Sequence, residues 1–235
     1  MTKRVIVTGA SRGIGFELVK QYAKADFEVI AISRNCDKLE RLKEVCLKLN
    51  PQAIVHTISL DLANDNLGIH LIPSISKYFN QVDILINNAG AMVAKPFTDI
   101  SPNELQRVYS VNILSVFKLI QALMPKFSDS AHILNISSVG GVQGSVKFAG
   151  LSAYSSSKAA MVGLTECLAE EFKDTDLSFN CLALGAVQTE MLEEAFPGYQ
   201  APITAKDMAA YIVDFSLNGA KFYKGKILTV SKSTP

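Results

Sequence analysis

Residues 7–15 read Val-Thr-Gly-Ala-Ser-Arg-Gly-Ile-Gly, and two kinds of chemistry compete for them. Gly9-Ala10-Ser11-Arg12-Gly13 fits G-x-S-x-G, the sharp turn that presents a serine nucleophile in hydrolases. Gly9, Gly13 and Gly15 also make a G-x3-G-x-G loop that can bring backbone N–H groups against a phosphate. The hydrolase turn needs earlier strands, because one oxyanion donor comes from a loop after an earlier strand. Only one strand candidate precedes Ser11, and the last histidine, where that fold wants one after the acid, is His132, with about a hundred residues still to come, so the hydrolase reading fits poorly. The loop therefore reads as a nucleotide cradle. Gly9 permits the tight turn, Gly13 allows close backbone approach and Gly15 lets the following helix pack on the sheet. No Gly-Lys-Ser/Thr follows, which disfavours an ATP-type loop.

Outward from this loop the chain alternates. Short β-branched runs at 4–8, 28–32, 53–60, 82–86, 132–136, 178–182 and 226–230 are strand candidates. Helical patterns lie near 14–25, 36–49, 65–79, 102–125, 153–172 and 204–216. Ser101-Pro102-Asn103-Glu104 supplies an N-cap, a proline at N1 and a glutamate at N3. Central strands such as Ile84-Leu85-Ile86-Asn87 are apolar on both faces, which predicts an α/β fold with a doubly wound parallel sheet of about seven strands flanked by helices on both faces. With no repeat or linker-like tract, 1–235 reads as a single Rossmann-type domain, its ligands bound beyond the carboxyl ends of the strands.

Composition narrows the partners. The 235 residues are 49% hydrophobic and 19% charged, an ordinary globular balance. Lys+Arg 23 against Asp+Glu 22 leaves no basic field, so no nucleic-acid partner is expected, and a small molecule is. Met1–Arg4 is followed by too few apolar residues for a signal peptide, and no apolar run approaches membrane length, so no membrane partner and a cytoplasmic location are expected. Cys36, Cys46, Cys167 and Cys181 lack metal-ligand spacing, as do His56, His70 and His132, and no metal site is expected.

The end of the second strand says which nucleotide. Ser33-Arg34 stands where an NAD-binding fold carries an acid for the ribose hydroxyls. Arg34 and Arg12, two guanidiniums with no acid, suit the 2′-phosphate of NADP(H). The plainer alternative is two surface arginines without a ligand.

Further along, Tyr154 and Lys158 are four apart and share a helix face. An adjacent ammonium is expected to lower a phenol from its ordinary value of ~10 toward the range of a useful acid-base group. Ser137-Ser138 follow one strand and Asn87-Asn88-Ala89-Gly90 another. Asn112 lies inside an apolar helix, where it needs a hydrogen-bond partner.

With these residues in hand, the sequence resembles the short-chain dehydrogenase/reductase family, in particular its NADP-preferring, 3-oxoacyl-reductase-like members. The likeness runs from Lys3 to about Thr189 through Thr8-Gly9-Ala10-Ser11-Arg12-Gly13-Ile14-Gly15, Asp61, Asn87-Asn88-Ala89-Gly90, Asn112, Ser138 and Tyr154-x3-Lys158. The resemblance implies an NADP(H)-dependent oxidoreductase acting on a carbonyl or secondary alcohol. In it Tyr154 is the acid/base, Ser138 holds the substrate oxygen, Lys158 holds the ribose hydroxyls and tunes Tyr154, and Asn112 helps hold a proton-relaying water. Cofactor contacts are implied for Gly9, Ser11, Arg12, Gly13, Ile14, Gly15, Arg34, Asp61 (at the adenine amino group), Asn88, Ala89, Gly90, Val187 and Thr189. A homodimer or homotetramer through the helices near 102–125 and 153–172 is implied too.

Three departures keep a second reading in view, a catalytically silent NADP-binding or sensing protein. Ser138 and Tyr154 are 16 apart, a few residues more than usual, with the surplus in the loop 140–151. Leu184 stands where the family usually has proline, which predicts a less rigid loop beside the nicotinamide. The tail 228–235 lacks the usual glycine-rich ending. All four proton-transfer residues are nevertheless present. Met191, Leu192, Phe196 and Tyr199, in a short lid over 190–206, and Phe148 and Leu151 are candidate walls for a ketone or aldehyde with an apolar body; the same residues could be ordinary core.

Overall fold

The computed structural model describes residues 3–64 and 67–232. Met1, Thr2, the first two residues of the helix expected from 65 and the last three of the 228–235 tail lie outside the described residues.

Seven parallel strands form one sheet: β1 (Arg4–Thr8), β2 (Glu28–Ser33), β3 (Ile54–Ser59), β4 (Val82–Asn87), β5 (Phe127–Ser138), β6 (Ser178–Leu184) and β7 (Ile227–Val230), in the spatial order β3-β2-β1-β4-β5-β6-β7. The helices are α1 (Gly13–Lys24), α2 (Cys36–Leu49), α3 (Leu67–Ser76), α4 (Pro102–Tyr109), α5 (Ser115–Leu123), α6 (Ser152–Glu171), α7 (Glu190–Ala195) and α8 (Ala205–Asn218). This is the expected doubly wound fold, and strand alternation explains its two layers. In β1, Val5 and Val7 point to a cluster with Leu18 and Tyr22 of α1, Leu42 of α2 and Ile212 of α8. Ile6, between them, points to the opposite cluster with Leu71 of α3, Leu119 and Ile120 of α5 and Met161 of α6.

Local chemistry sets the element ends. Ser101 caps α4 in a reciprocal capping box: its hydroxyl accepts from the Glu104 N–H at 3.3 Å while Glu104 accepts from the Ser101 N–H at 3.0 Å. The single helix expected over 102–125 is instead α4 and α5 joined by a π-helical turn, Ser110–Leu114, which contains Asn112. Strand β5 begins five residues before the expected 132, because its register against β4 slips between Val82 and Ile84 and absorbs the polar Ser128-Asp129-Ser130.

The stretch Pro102–Lys126 has the length and mean hydropathy, 1.3 in its most apolar window, of a membrane span. Polar residues, among them Glu104, Arg107 and Lys118, interrupt it. Val116, Leu119, Ile120 and Leu123 of this stretch pack into the core, which accounts for its hydropathy.

Candidate active site

The chain runs from β1 outward to β3, then returns to β4 on the other side of β1. A crevice opens at the carboxyl ends where that direction reverses. Here it is a cleft of about 980 Å³, reaching from the glycine loop after β1 to the loops after β5 and β6.

Gly9, Ser11, Arg12, Gly13 and Ile14 line one side. Gly9 has φ +69°, and a Cβ there would stand 2.8 Å from Ala89 Cα, so the β1 and β4 loops touch only because this residue has no side chain. Gly15 lies beneath the loop. Its expected role was helix-on-sheet packing, but the close contact is with the loop itself: a Cβ would fall 2.3 Å from the Gly9 carbonyl oxygen. Asn88 acts as a brace, its amide donating to the Thr8 carbonyl at 2.9 Å, while the Thr8 hydroxyl accepts from the Asn88 and Ala89 N–H groups. Ala89 and Gly90 continue along the cleft wall.

At the far end of the glycine loop the cleft gathers cations. Arg34, immediately after β2, and Lys38, in the first turn of α2, both line it. Arg12 lines it too, but its guanidinium is held by both carboxylate oxygens of Glu194 in α7 (Nη2–Oε2 3.0 Å). Asp61 lies in the wall, paired with Arg107 of α4 at 3.0 Å and accepting from the Ala63 N–H. Partial burial works to raise its pKa; the Ala63 N–H and Arg107, with Arg34 behind, outweigh it and hold the carboxyl below its ordinary range.

The catalytic candidates converge on the other half. Ser138 ends β5, Tyr154 and Lys158 stand one turn apart on α6, and all three line the cleft. The implied effect of Lys158 on Tyr154 is not what the geometry gives. The ammonium lies 5.8 Å from the centroid of the Tyr154 ring and donates to the Ile136 carbonyl at 2.8 Å. Desolvation by the cleft walls pushes the phenol up to about 12, and only a hydrogen bond with Ser138 pulls it back. Lys158 is itself pushed down to about 8 by burial. Helical spacing made the two neighbours, but it could not say where a long side chain ends.

Asn112 is fully buried, and the partner it needs is present three times over. Its amide N–H groups donate to the Ala91 carbonyl at 2.9 Å and the Ser157 hydroxyl at 2.8 Å, and its oxygen accepts from the Ala91 N–H at 2.7 Å. With both amide protons committed, this side chain ties the β4 loop to α6. Behind it, Asn87 donates to Asn135, which donates to Thr165 of α6 at 2.9 Å.

Val187 and Thr189 follow β6 in the wall, and Thr189 caps α7 by accepting from the Leu192 N–H at 3.3 Å. The loop expected to be looser at Leu184 is held by the sheet: β6 continues through Leu184, paired with Ser138 on one side and Val230 on the other. Met191, Leu192, Phe196 and Tyr199 beyond it, with Phe148 and Leu151 from the long loop after β5, do line the cleft. Lys38, Arg107, Glu190 and Glu194 were missed. Lys38 could have been read as the next cation after Arg34 at a helix start. Glu194 and Arg107 meet partners 182 and 46 residues away and leave no local mark.

The sequence matches the short chain dehydrogenase family over residues 3–200. It is 30% identical over 211 residues to an uncharacterized oxidoreductase of Staphylococcus saprophyticus, covering 88% of each chain. It is 29% identical to a 3alpha-hydroxysteroid dehydrogenase of Mediterraneibacter gnavus, covering 97% of this chain and 95% of that one. A solved short-chain dehydrogenase from Shigella flexneri complexed with NADP superposes with a TM-score of 0.88 at 29% identity, over 97% and 96% of the two chains. By sequence, sheet order and the placement of its cleft, the chain belongs to the short-chain dehydrogenase family, oxidoreductases acting on CH–OH and C=O groups.

Proposed function

We propose that this protein is an NADP(H)-dependent oxidoreductase that interconverts a carbonyl and a secondary alcohol, with Tyr154 as acid/base. One observation carries the reading: Tyr154, Ser138 and Lys158 converge in the same cleft whose other half is the glycine loop. The residues present fit the cofactor. The glycine loop offers backbone N–H groups at the start of α1, where a pyrophosphate is favoured. Arg34 and Lys38, with Arg12 beside them, suit a 2′-phosphate, and Asp61, Asn88, Ala89, Gly90, Val187 and Thr189 complete the wall. The NADP complex of the Shigella flexneri relative supports the same choice. When bound, NADP(H) supplies or accepts the hydride at its nicotinamide ring.

The chain's own residues handle the proton. A phenol near 12 stands protonated at neutral pH, the form that can donate to a carbonyl oxygen as it gains charge. Ser138, hydrogen-bonded to that phenol, can hold the same oxygen. Lys158, cationic at neutral pH, stands one turn along α6 with its ammonium 5.8 Å from the centre of that ring, in the same cleft wall. Asn112 positions Ala91 and Ser157 around them.

Met191, Leu192, Phe196, Phe148 and Leu151 give the substrate end an apolar wall, which suits a ketone or aldehyde with a hydrophobic body. The steroid named for the Mediterraneibacter gnavus relative is of that kind. Leu105, Leu114 and Phe117 of the α4–α5 stretch are exposed, as are Ala159 and Ala160 of α6, which supports pairing of two copies through these helices. Within one sheet, the chain would act as one domain. All four cysteines are free thiols, two of them exposed, in keeping with a cytoplasmic enzyme.

The test is NADPH consumption over a panel of ketones, aldehydes and 3-oxoacyl thioesters. Loss of the phenol in Tyr154→Phe should lower turnover by about 10²–10⁴-fold. Turnover that survives the substitution overturns the assignment of Tyr154.

A further inference from the structure

Helix α7 presents two carboxylates to the loop where phosphates are expected. Glu194 grips Arg12 with both oxygens, and Glu190 Oε2 lies 3.5 Å from where a Cβ on Gly13 would be. The third acid of the helix, Glu193, turns away and accepts from the Gly198 N–H at 3.0 Å. The same short helix carries Met191 and Leu192 into the substrate end of the cleft, and Phe196 and Tyr199 follow it there. One element thus touches the anion site with one face and the substrate wall with the other.

We propose that Glu194 is a latch: it occupies the Arg12 guanidinium in place of a phosphate, and the 2′-phosphate of NADP(H) displaces it, coupling cofactor choice to the position of α7. This rests on the cofactor reading above. A carboxylate fills the guanidinium fork with the same planar, two-point geometry as two phosphate oxygens, so the two ligands exclude each other on Arg12. The pair is partly solvent-exposed, which makes it weak enough for a dianionic phosphate to replace. Arg34 and Lys38 line the same end of the cleft and can receive the phosphate first. Glu194, and Glu190 beside it, act on Arg12 electrostatically as well, so a phosphate arriving there meets like charge from α7 and favours its withdrawal. NADH lacks the group that competes, and it would bind with the latch closed. Glu194 is therefore a selectivity residue that disfavours NADP(H) relative to what the cations alone would give, in exchange for control of the lid.

The experiment is titration of the full-length protein with NADPH, with NADH and with adenosine 2′,5′-bisphosphate, followed by calorimetry, for wild type, Glu194→Gln and Glu193→Gln. Glu194→Gln should tighten NADPH and the bisphosphate by about two- to fivefold, the range of a partly exposed ion pair removed, and leave NADH nearly unchanged. The difference should shrink as salt is raised, since the interaction is screened. Glu193→Gln removes the same charge from the same helix without freeing Arg12 and should match wild type. Equal NADPH affinity in wild type and Glu194→Gln overturns the latch, as does equal tightening of NADH and NADPH. Failure of wild type to bind either dinucleotide overturns the cofactor reading, and the latch with it.

Discussion

Lys158 makes a prediction in which activity and stability move in opposite directions. It is 3% exposed, donates to the Ile136 carbonyl, and has been pushed by burial from its ordinary 10.5 to about 8. Below pH 8 both the native and the unfolded chain carry the proton, so the native state bears the full penalty of a buried cation. Between about 8 and 10.5 the unfolded chain holds the proton more tightly, native stability rises with pH, and above 10.5 the penalty is gone. At 1.36 kcal/mol for each tenfold change, the interval from 10.5 to about 8 corresponds to roughly 3 kcal/mol of native-state penalty at neutral pH. Methionine at this position keeps an unbranched apolar stem and drops the charge. It also leaves the Ile136 carbonyl without this donor, a loss of about 1 kcal/mol.

Lys158→Met should therefore abolish most turnover and yet stabilise the fold by roughly 1–3 kcal/mol at pH 7. Urea denaturation of wild type and variant at pH 7 and pH 10 reads this directly. At pH 10 most of the wild-type penalty has gone, so the variant's advantage should shrink by roughly 2 kcal/mol. A variant less stable than wild type at pH 7, or an advantage independent of pH, refutes the argument. Either result would mean that the hydrogen bond to Ile136 and the surrounding dipoles stabilise the ammonium more than burial destabilises it.

Two further outcomes follow from buried polar groups. Asn112→Ala removes three hydrogen bonds at a fully buried site and leaves Ala91 N–H and C=O unpaired, so chemical denaturation should show a loss of about 3–5 kcal/mol, with weaker dinucleotide binding because the β4 loop is untied. His132 receives from Asn180 at 3.1 Å and faces the Ser216 carbonyl at 3.0 Å; burial depresses its pKa below the ordinary 6.5, so stability should be full above about pH 6.5 and fall as pH drops below it. Thermal melts from pH 7.5 to 5 should show this slope flattened in His132→Gln, and an unaltered slope would remove His132 as its source.

How much of this was legible depended on range. Strand positions other than the start of β5, both sheet faces and the glycine loop follow from periods of two and from a few adjacent residues, and they stand where the sequence puts them. The π-turn at Ser110–Leu114 does not, since a turn with i→i+5 bonds leaves the same apolar pattern as the helix around it. The start of β5 was hidden for a related reason: Ser128-Asp129-Ser130 reads as a turn, yet the register slip lets the strand carry it. At the site, residue identities were legible and their relations were not. The sequence pairs Arg12 with a phosphate but cannot show that Glu194 already holds it from 182 residues away. It sets Lys158 beside Tyr154 but cannot show the ammonium turned toward Ile136.

The distribution of buried polar groups ties these observations together. Most of the sheet's interior is aliphatic, but Thr8, Asn87, Asn112, Asn135, Ser137, Ser157, Lys158 and Thr165 are all buried, and all lie at or behind the cleft on β1, β4, β5, α6 and the π-turn. They are linked in short relays: Asn112 to Ser157 and on to the Tyr154 carbonyl, Asn135 to Thr165 and on to the Met161 carbonyl, Ser137 to the Lys158 carbonyl. Apolar packing resists a change of volume but tolerates sliding, because it has no direction; a hydrogen bond fixes distance and angle together. Sites that must hold a proton donor near a hydride path need the second property. A core built only for stability would replace Lys158 with an aliphatic residue, since burial holds its ammonium well below the ordinary value. That these eight, more than half of the buried polar residues among those described, lie under Tyr154 places the buried cation and most of the directed bonding at the point where geometry must be fixed.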